Sequence, residues 1–107
     1  MRKGKKRRLE AKGWKVGSVK DFLGLSNEEA AYIELKIRLA EGLRQRRQQT
    51  GLSQVDLAEK LKSSQSRVAK MEAGDPSVSV DLLIRSLITL GASDRELSKI
   101  IATPRAA

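Results

Sequence analysis

The stretch at 54–74, QVDLAEKLKSSQSRVAKMEAG, constrains the fold most. It fits two helices of about eight residues each, with only three or four residues around Lys62, Ser63 and Ser64 between them. A connection that short does not let two helices lie antiparallel, so they must cross steeply. Leu57, Leu61, Val68 and Met71 fall on the faces that such a crossing buries. Ala58 sits where the axes pass, and its small side chain lets them approach. The second helix then exposes Ser64, Gln65, Ser66, Arg67 and Lys70, with no acid among them.

The rest of the chain also reads as helix. Ser26-Asn-Glu-Glu29 is a capping signal that opens a pattern running to about Gln49 and ending at Thr50-Gly51. Tyr32, Ile33, Leu35, Ile37, Leu39, Ala40 and Leu43 cover roughly half its circumference. So wide a stripe predicts cover from two directions: the following helices, and either the 18–25 segment or a second subunit. Gly42 is expected to mark a break, because glycine weakens a helix interior by about 1 kcal/mol. Ser53 caps the first short helix, Ser79 caps an apolar helix that Gly91 ends, and Ser93-Asp-Arg-Glu96 opens a last helix before Pro104. Ser18-Val-Lys-Asp21 predicts a further short helix, stopped by Gly24, whose Phe22 and Leu23, with Leu25, form a lid on the long one. No segment alternates with period two for long, so the expected class is all-α.

Composition removes whole classes of chemistry. The 107 residues include no Cys and no His, which excludes disulfides, thiolate or imidazole metal sites and thiol or imidazole catalysis. Helical capping explains the carboxylates of Asp21, Glu28, Glu29 and Glu34, and no paired-acid geometry, nucleophile–base arrangement or phosphate loop is visible, so the chain does not read as an enzyme. No cofactor, metal or small-molecule ligand is expected. Three aromatic residues are too few for a single-strand stacking platform. No apolar run approaches a membrane span, and no apolar stretch follows the basic start as in a secretory signal.

The net charge is +9, but residues 1–20 alone hold nine Lys/Arg against one acid. The expected organisation is a basic flexible arm at 1–17, a packing segment at 18–51, the helix-turn-helix and following helices at 52–103, and a tail at 104–107. The arm reads either as a solubilising tail or as a clamp on phosphates or the minor groove. Trp14, near its end, is expected to pack locally.

A helix the size of the second one in 54–74 fits the major groove of B-DNA, where its first turn meets base edges. Gln suits bidentate bonding to adenine, and Arg and Lys suit guanine or phosphate.

With these features the segment at 35–102 resembles the phage repressor and Cro family, often called the Xre family. The resemblance is carried by LRQRRQQTGLSQVDLAEKL, QSRVAKMEAG and SVDLLIRSLITLGA. The GLSQ entry, Ala58 and the Glu72-Ala-Gly74 ending all fall at the family's spacing. The resemblance implies a compact helical bundle in which Ser64, Gln65, Ser66 and Lys70 face bases. It implies that Gln54 holds a phosphate at a helix N-terminus, helped by the helix dipole. Arg46, Lys62 and Arg67 complete the expected phosphate contacts. It also implies that Arg47 pairs with Glu72 and braces the long helix against the reading helix. One departure is plain: Lys62 stands where the family's turn carries glycine, at a cost of about 1 kcal/mol if φ is positive.

The entry segment at 14–47, WKVGSVKDFLGLSNEEAAYIELKIRLAEGLRQRR, resembles that of HigA-type antitoxins. The resulting expectation is a cytoplasmic, nucleoid-associated regulator, a repressor that binds double-stranded DNA as a homodimer on a palindromic operator. The alternative is an antitoxin that neutralises a partner toxin and represses its own operon. The dimer surface would be the wide face of the long helix, or the last helix with Leu97, Ile100 and Ile101.

Overall fold

The computed structural model describes Gly24 and residues 26–103. Five helices follow in order: α1 (Asn27–Gln49), α2 (Gln54–Leu61), α3 (Gln65–Glu72), α4 (Val80–Thr89) and α5 (Asp94–Ala102). Among the described residues there is no strand, and the class is all-α as expected. The expected arm, Trp14, the short helix at 18–24, its Phe22–Leu23–Leu25 lid and the tail lie outside the described residues, apart from Gly24.

Serine starts each of the five described helices. Ser26 and Glu29 exchange hydrogen bonds of 2.9 and 3.1 Å. Ser53 and Asp56 do the same at 2.9 and 3.0 Å, and Ser93 and Glu96 at 2.9 and 3.1 Å. Ser64 and Ser79 cap by accepting from the backbone N–H of Arg67 and Leu82. Each cap satisfies donors that a helix start leaves unpaired, and removing one costs about 1 kcal/mol.

The segment Leu35–Thr103 forms one compact unit. Leu39, Leu43, Leu57, Val68, Met71, Leu83 and Leu87 are fully buried in its core, with Ala58 beside them. Leu97 and Ile100 pack against this core from α5. The expected break at Gly42 does not occur, because α1 runs through it. A Cβ at that position would lie 2.8 Å from Ile100 Cδ1. Gly42 therefore serves as the seat for Ile100, whose contact repays the lost helix propensity.

Four helices end with the same pair of hydrogen bonds from two successive N–H groups. Glycine supplies the left-handed residue after α1, α3 and α4. After α2 the residue is Lys62, at φ 56° and ψ 48°. Its N–H donates to Glu59 O at 3.2 Å and that of Ser63 to Ala58 O at 2.8 Å. The expected turn geometry is thus kept, with the strain of a side chain at positive φ. The Lys-Ser-Ser bend sets α3 across α2.

Candidate nucleic-acid interface

The outer side of α3 begins with Ser64. Its hydroxyl caps the helix, accepting from Arg67 N at 3.2 Å, and lies 3.3 Å from Ser66 Oγ. Gln65, Ser66, Arg67 and Lys70 are all exposed, whereas Val68 and Met71 turn inward. Lys62 and Arg67 make no ion pair or side-chain hydrogen bond among the described residues. Lys70 lies near Asp75, and its charge helps lower that carboxyl's pKa, after the hydrogen bonds from Ser77 and with help from Lys36. Lys36, though buried, donates from Nζ to Pro76 O at 3.3 Å and so ties α1 to the loop after α3.

Behind this surface runs a chain of polar contacts. Arg47 grips Glu72 with two nitrogens, Nε to Oε2 at 2.6 Å and NH2 to Oε1 at 3.1 Å. Its NH1 donates to Leu52 O at 2.8 Å. The side chains are only 12% and 4% exposed, so the pair is largely shielded from water. The Glu72 hydrogen bond holds the Arg47 pKa above its ordinary value. Glu72 Oε1 accepts again, from Gln54 Nε2 at 3.1 Å. Gln54 Oε1 in turn accepts from Gln65 Nε2 at 2.6 Å.

The direction of this chain follows from chemistry. A carboxylate only accepts, so Gln54 must turn its amide NH2 to Glu72 and its carbonyl outward. Gln65 must then give one N–H to Gln54. It keeps its carbonyl and its second N–H for something outside the protein. That acceptor–donor pair is the one that matches the N6 and N7 edge of adenine.

The residues expected to meet DNA are thus gathered unequally. Gln65, Ser66, Arg67 and Lys70 share the exposed side of α3, and Lys62 stands at the bend before it. Gln54 is half-buried, and its amide orients Gln65. Arg46, expected at a phosphate, donates from Nε to Leu90 O at 2.9 Å, and its NH1 pairs with Glu96 at 3.0 Å. Those bonds tie the guanidinium to the end of α4 and the start of α5, so Arg46 braces the bundle. The sequence reading missed the link from Glu72 through Gln54 to Gln65, for which no local spacing gives a signal. It also missed the Ser53–Asp56 box, which its S-x-x-D spacing does signal.

Among the described residues, no helix is long and apolar enough to cross a membrane. Comparison with curated proteins and with solved structures gives no match. The model of a family described as a helix-turn-helix domain matches residues 38–99, more than half of the chain. The α2–α3 pair and the outward polar side of α3 lie within that match, and the chain is a DNA-binding regulator belonging to the helix-turn-helix domain family.

Proposed function

We propose that the protein is a sequence-specific repressor that lays α3 in the major groove and binds a palindromic operator as a homodimer, without any catalytic step. The orientation of Gln65 by Gln54 carries this reading, because a glutamine fixed before DNA arrives reads a base without first losing its freedom. Ser66 and Lys70 lie beside it for neighbouring bases, and Lys62 and Arg67 for phosphates. The cap role of Ser64 leaves its hydroxyl a lesser part in base contact.

One reading helix covers too few base pairs for useful specificity. Two-fold symmetry places a second one about 34 Å away, in the next major groove. Leu97 and Ile100 already serve the chain's own core, so the apolar residues open to a second copy among the described residues are Ile101 and Ile88, 41% and 55% exposed, with Val55 and, on the long helix, Tyr32.

The second reading, an antitoxin, draws on the entry segment. There Tyr32, 51% exposed, lines a shallow groove with Glu28, Glu29 and Ile33 that a partner protein could fill.

Selection of bound duplexes from a random pool tests the repressor. The expected product is a palindrome with half-sites one helical turn apart. A ratio near one between selected and random DNA, in competition at physiological salt, overturns it. Arrest of growth by a neighbouring gene product, relieved by co-expression of this chain, would favour the antitoxin.

A further inference from the structure

A cleft of about 340 Å³ opens between the Lys-Ser-Ser bend, α3 and α4. Its volume lies within the range of small-molecule sites. Leu61, Met71 and Leu82 give it an apolar floor, and Lys62, Arg67 and Arg85 stand in its wall. No acid lines it. The nearest carboxylate linked to it is Asp81, which takes Arg85 Nε at 2.9 Å in a pair exposed by 75% and 73%. An ion pair so exposed is weak and leaves the two terminal nitrogens of Arg85 free. The wall hydroxyls of Ser86 and Thr89 are turned back to their own helix, donating to Leu82 O and Arg85 O. Ser63 adds one hydroxyl at the bend, and the charged groups left to a ligand are all cationic. Gln65, Ser66 and Lys70 do not line the cleft, so reading bases does not account for it.

We propose that this cleft binds a small organic anion with an apolar body, and that its occupant competes with DNA for Lys62 and Arg67. Three cations around a concave, low-dielectric floor focus a positive potential on one point, which suits a sulfonate, carboxylate or phosphate group. The floor takes the apolar body. A bare inorganic anion would leave it unfilled. Binding there neutralises two of the charges assigned to the DNA backbone, and it lies against Lys62, the strained residue that sets the angle of α3. The competition rests on the repressor reading; the site itself does not.

The test is a titration of the full chain with 8-anilinonaphthalene-1-sulfonate, followed by fluorescence and by amide chemical shifts. The expected result is one saturable site, with shifts at residues 61–63 and 82–86. Affinity should fall at least tenfold in Arg85→Gln and at least tenfold for the uncharged N-phenyl-1-naphthylamine. It should be unchanged in Lys99→Gln, outside the cleft. Inorganic phosphate at equal concentration should displace little of the probe. Arg85 is exposed, so thermal unfolding will show that the variant keeps its fold. Shifts gathered around Ile101 or Tyr32 instead, equal affinity in Arg85→Gln, or full displacement by phosphate would each overturn the proposed site. Probe-saturated protein should bind its selected duplex at least tenfold more weakly, while Arg85→Gln without probe binds it within twofold of the parent. Unaltered DNA affinity on saturation overturns the competition. Site occupancy in a chain that prefers no DNA sequence removes the repressor reading and leaves the cleft; specific DNA binding without site occupancy removes the cleft alone.

Discussion

Gln65 Nε2 donates to Gln54 Oε1 across 2.6 Å, from the first residue of one helix to the first residue of another. The bond holds the Gln65 amide in one rotamer and one flip state. Gln65→Ala should cost about 1–3 kcal/mol at one base pair and relax the preference there. Gln54→Ala should weaken the same preference by a smaller amount, about 1 kcal/mol, because Gln65 remains but must be ordered on binding. Measuring the affinities of both variants for every base at each operator position checks this. Equal losses over all positions would show that neither amide reads sequence.

The Arg47–Glu72 pair lies upstream of that amide. It is largely shielded from water, so removing one member strands the other's charge. Arg47→Met should cost about 3 kcal/mol in urea denaturation, and Glu72→Met a similar amount. The double variant should recover much of that loss, since a matched apolar pair leaves no stranded charge. It should nonetheless read its operator less selectively than the parent, because Gln54 then has no carboxylate to face. Recovery of both stability and selectivity would mean that Glu72 has no part in orienting Gln65.

How much of this was legible in the sequence depended on how far apart the partners lie. The serine caps are written within four residues and spacing located them, whereas the left-handed residue at 62 came from the family resemblance. Gly42 was misread because local propensity counts only the side chain that is missing, not Ile100 arriving 58 positions later. The bracing role of Arg46 was missed for a different reason. Neighbouring residues on a helix point about 100° apart, so Arg46 faces α4 and α5 while Arg47 faces α3. Two adjacent arginines look alike in a basic run and act on different sides of the molecule.

At Gly42 the expected outcome opposes simple helix propensity. Gly42→Ala raises propensity by about 1 kcal/mol. Its Cβ would nonetheless sit 2.8–3.0 Å from three Ile100 side-chain atoms. Such overpacking costs about 1–3 kcal/mol, so the net effect should be destabilising. The added clash should vanish in an Ile100→Ala background, where Gly42→Ala becomes stabilising. A sign that is the same in both backgrounds would remove Ile100 as the cause.

Acid should unfold the protein in a defined manner. Hydrogen bonds from Ser53 hold the Asp56 carboxyl below its ordinary pKa. Those from Ser77 do so for Asp75, and the Ser93 backbone, then Arg46, for Glu96. Depressed carboxylates contribute stability that is complete above their unfolded pKa values and lost as pH falls through the folded ones. The urea midpoint should therefore hold from neutral pH down to the ordinary carboxylate range and fall below it. Glu96→Gln should lower the plateau and make the fall shallower. An unchanged acid limb in that variant would show that Glu96 is not one of the groups responsible.

Lys62 carries a conflict between stability and binding. A non-glycine residue at φ 56° is strained by about 1 kcal/mol, and its three sister turns use glycine. Among the described residues its ammonium has no ion pair to offset that strain. Strain of this kind persists at sites where the side chain serves another purpose. Lys62→Gly should therefore stabilise the fold by about 1 kcal/mol in urea denaturation. The same variant should bind every duplex more weakly, without altered base preference. The slope of log K against log[salt] should flatten by about 0.9, the share of one phosphate contact. A more stable variant with an unaltered salt slope would mean that Lys62 touches no phosphate, and the strain at the bend would then need another explanation.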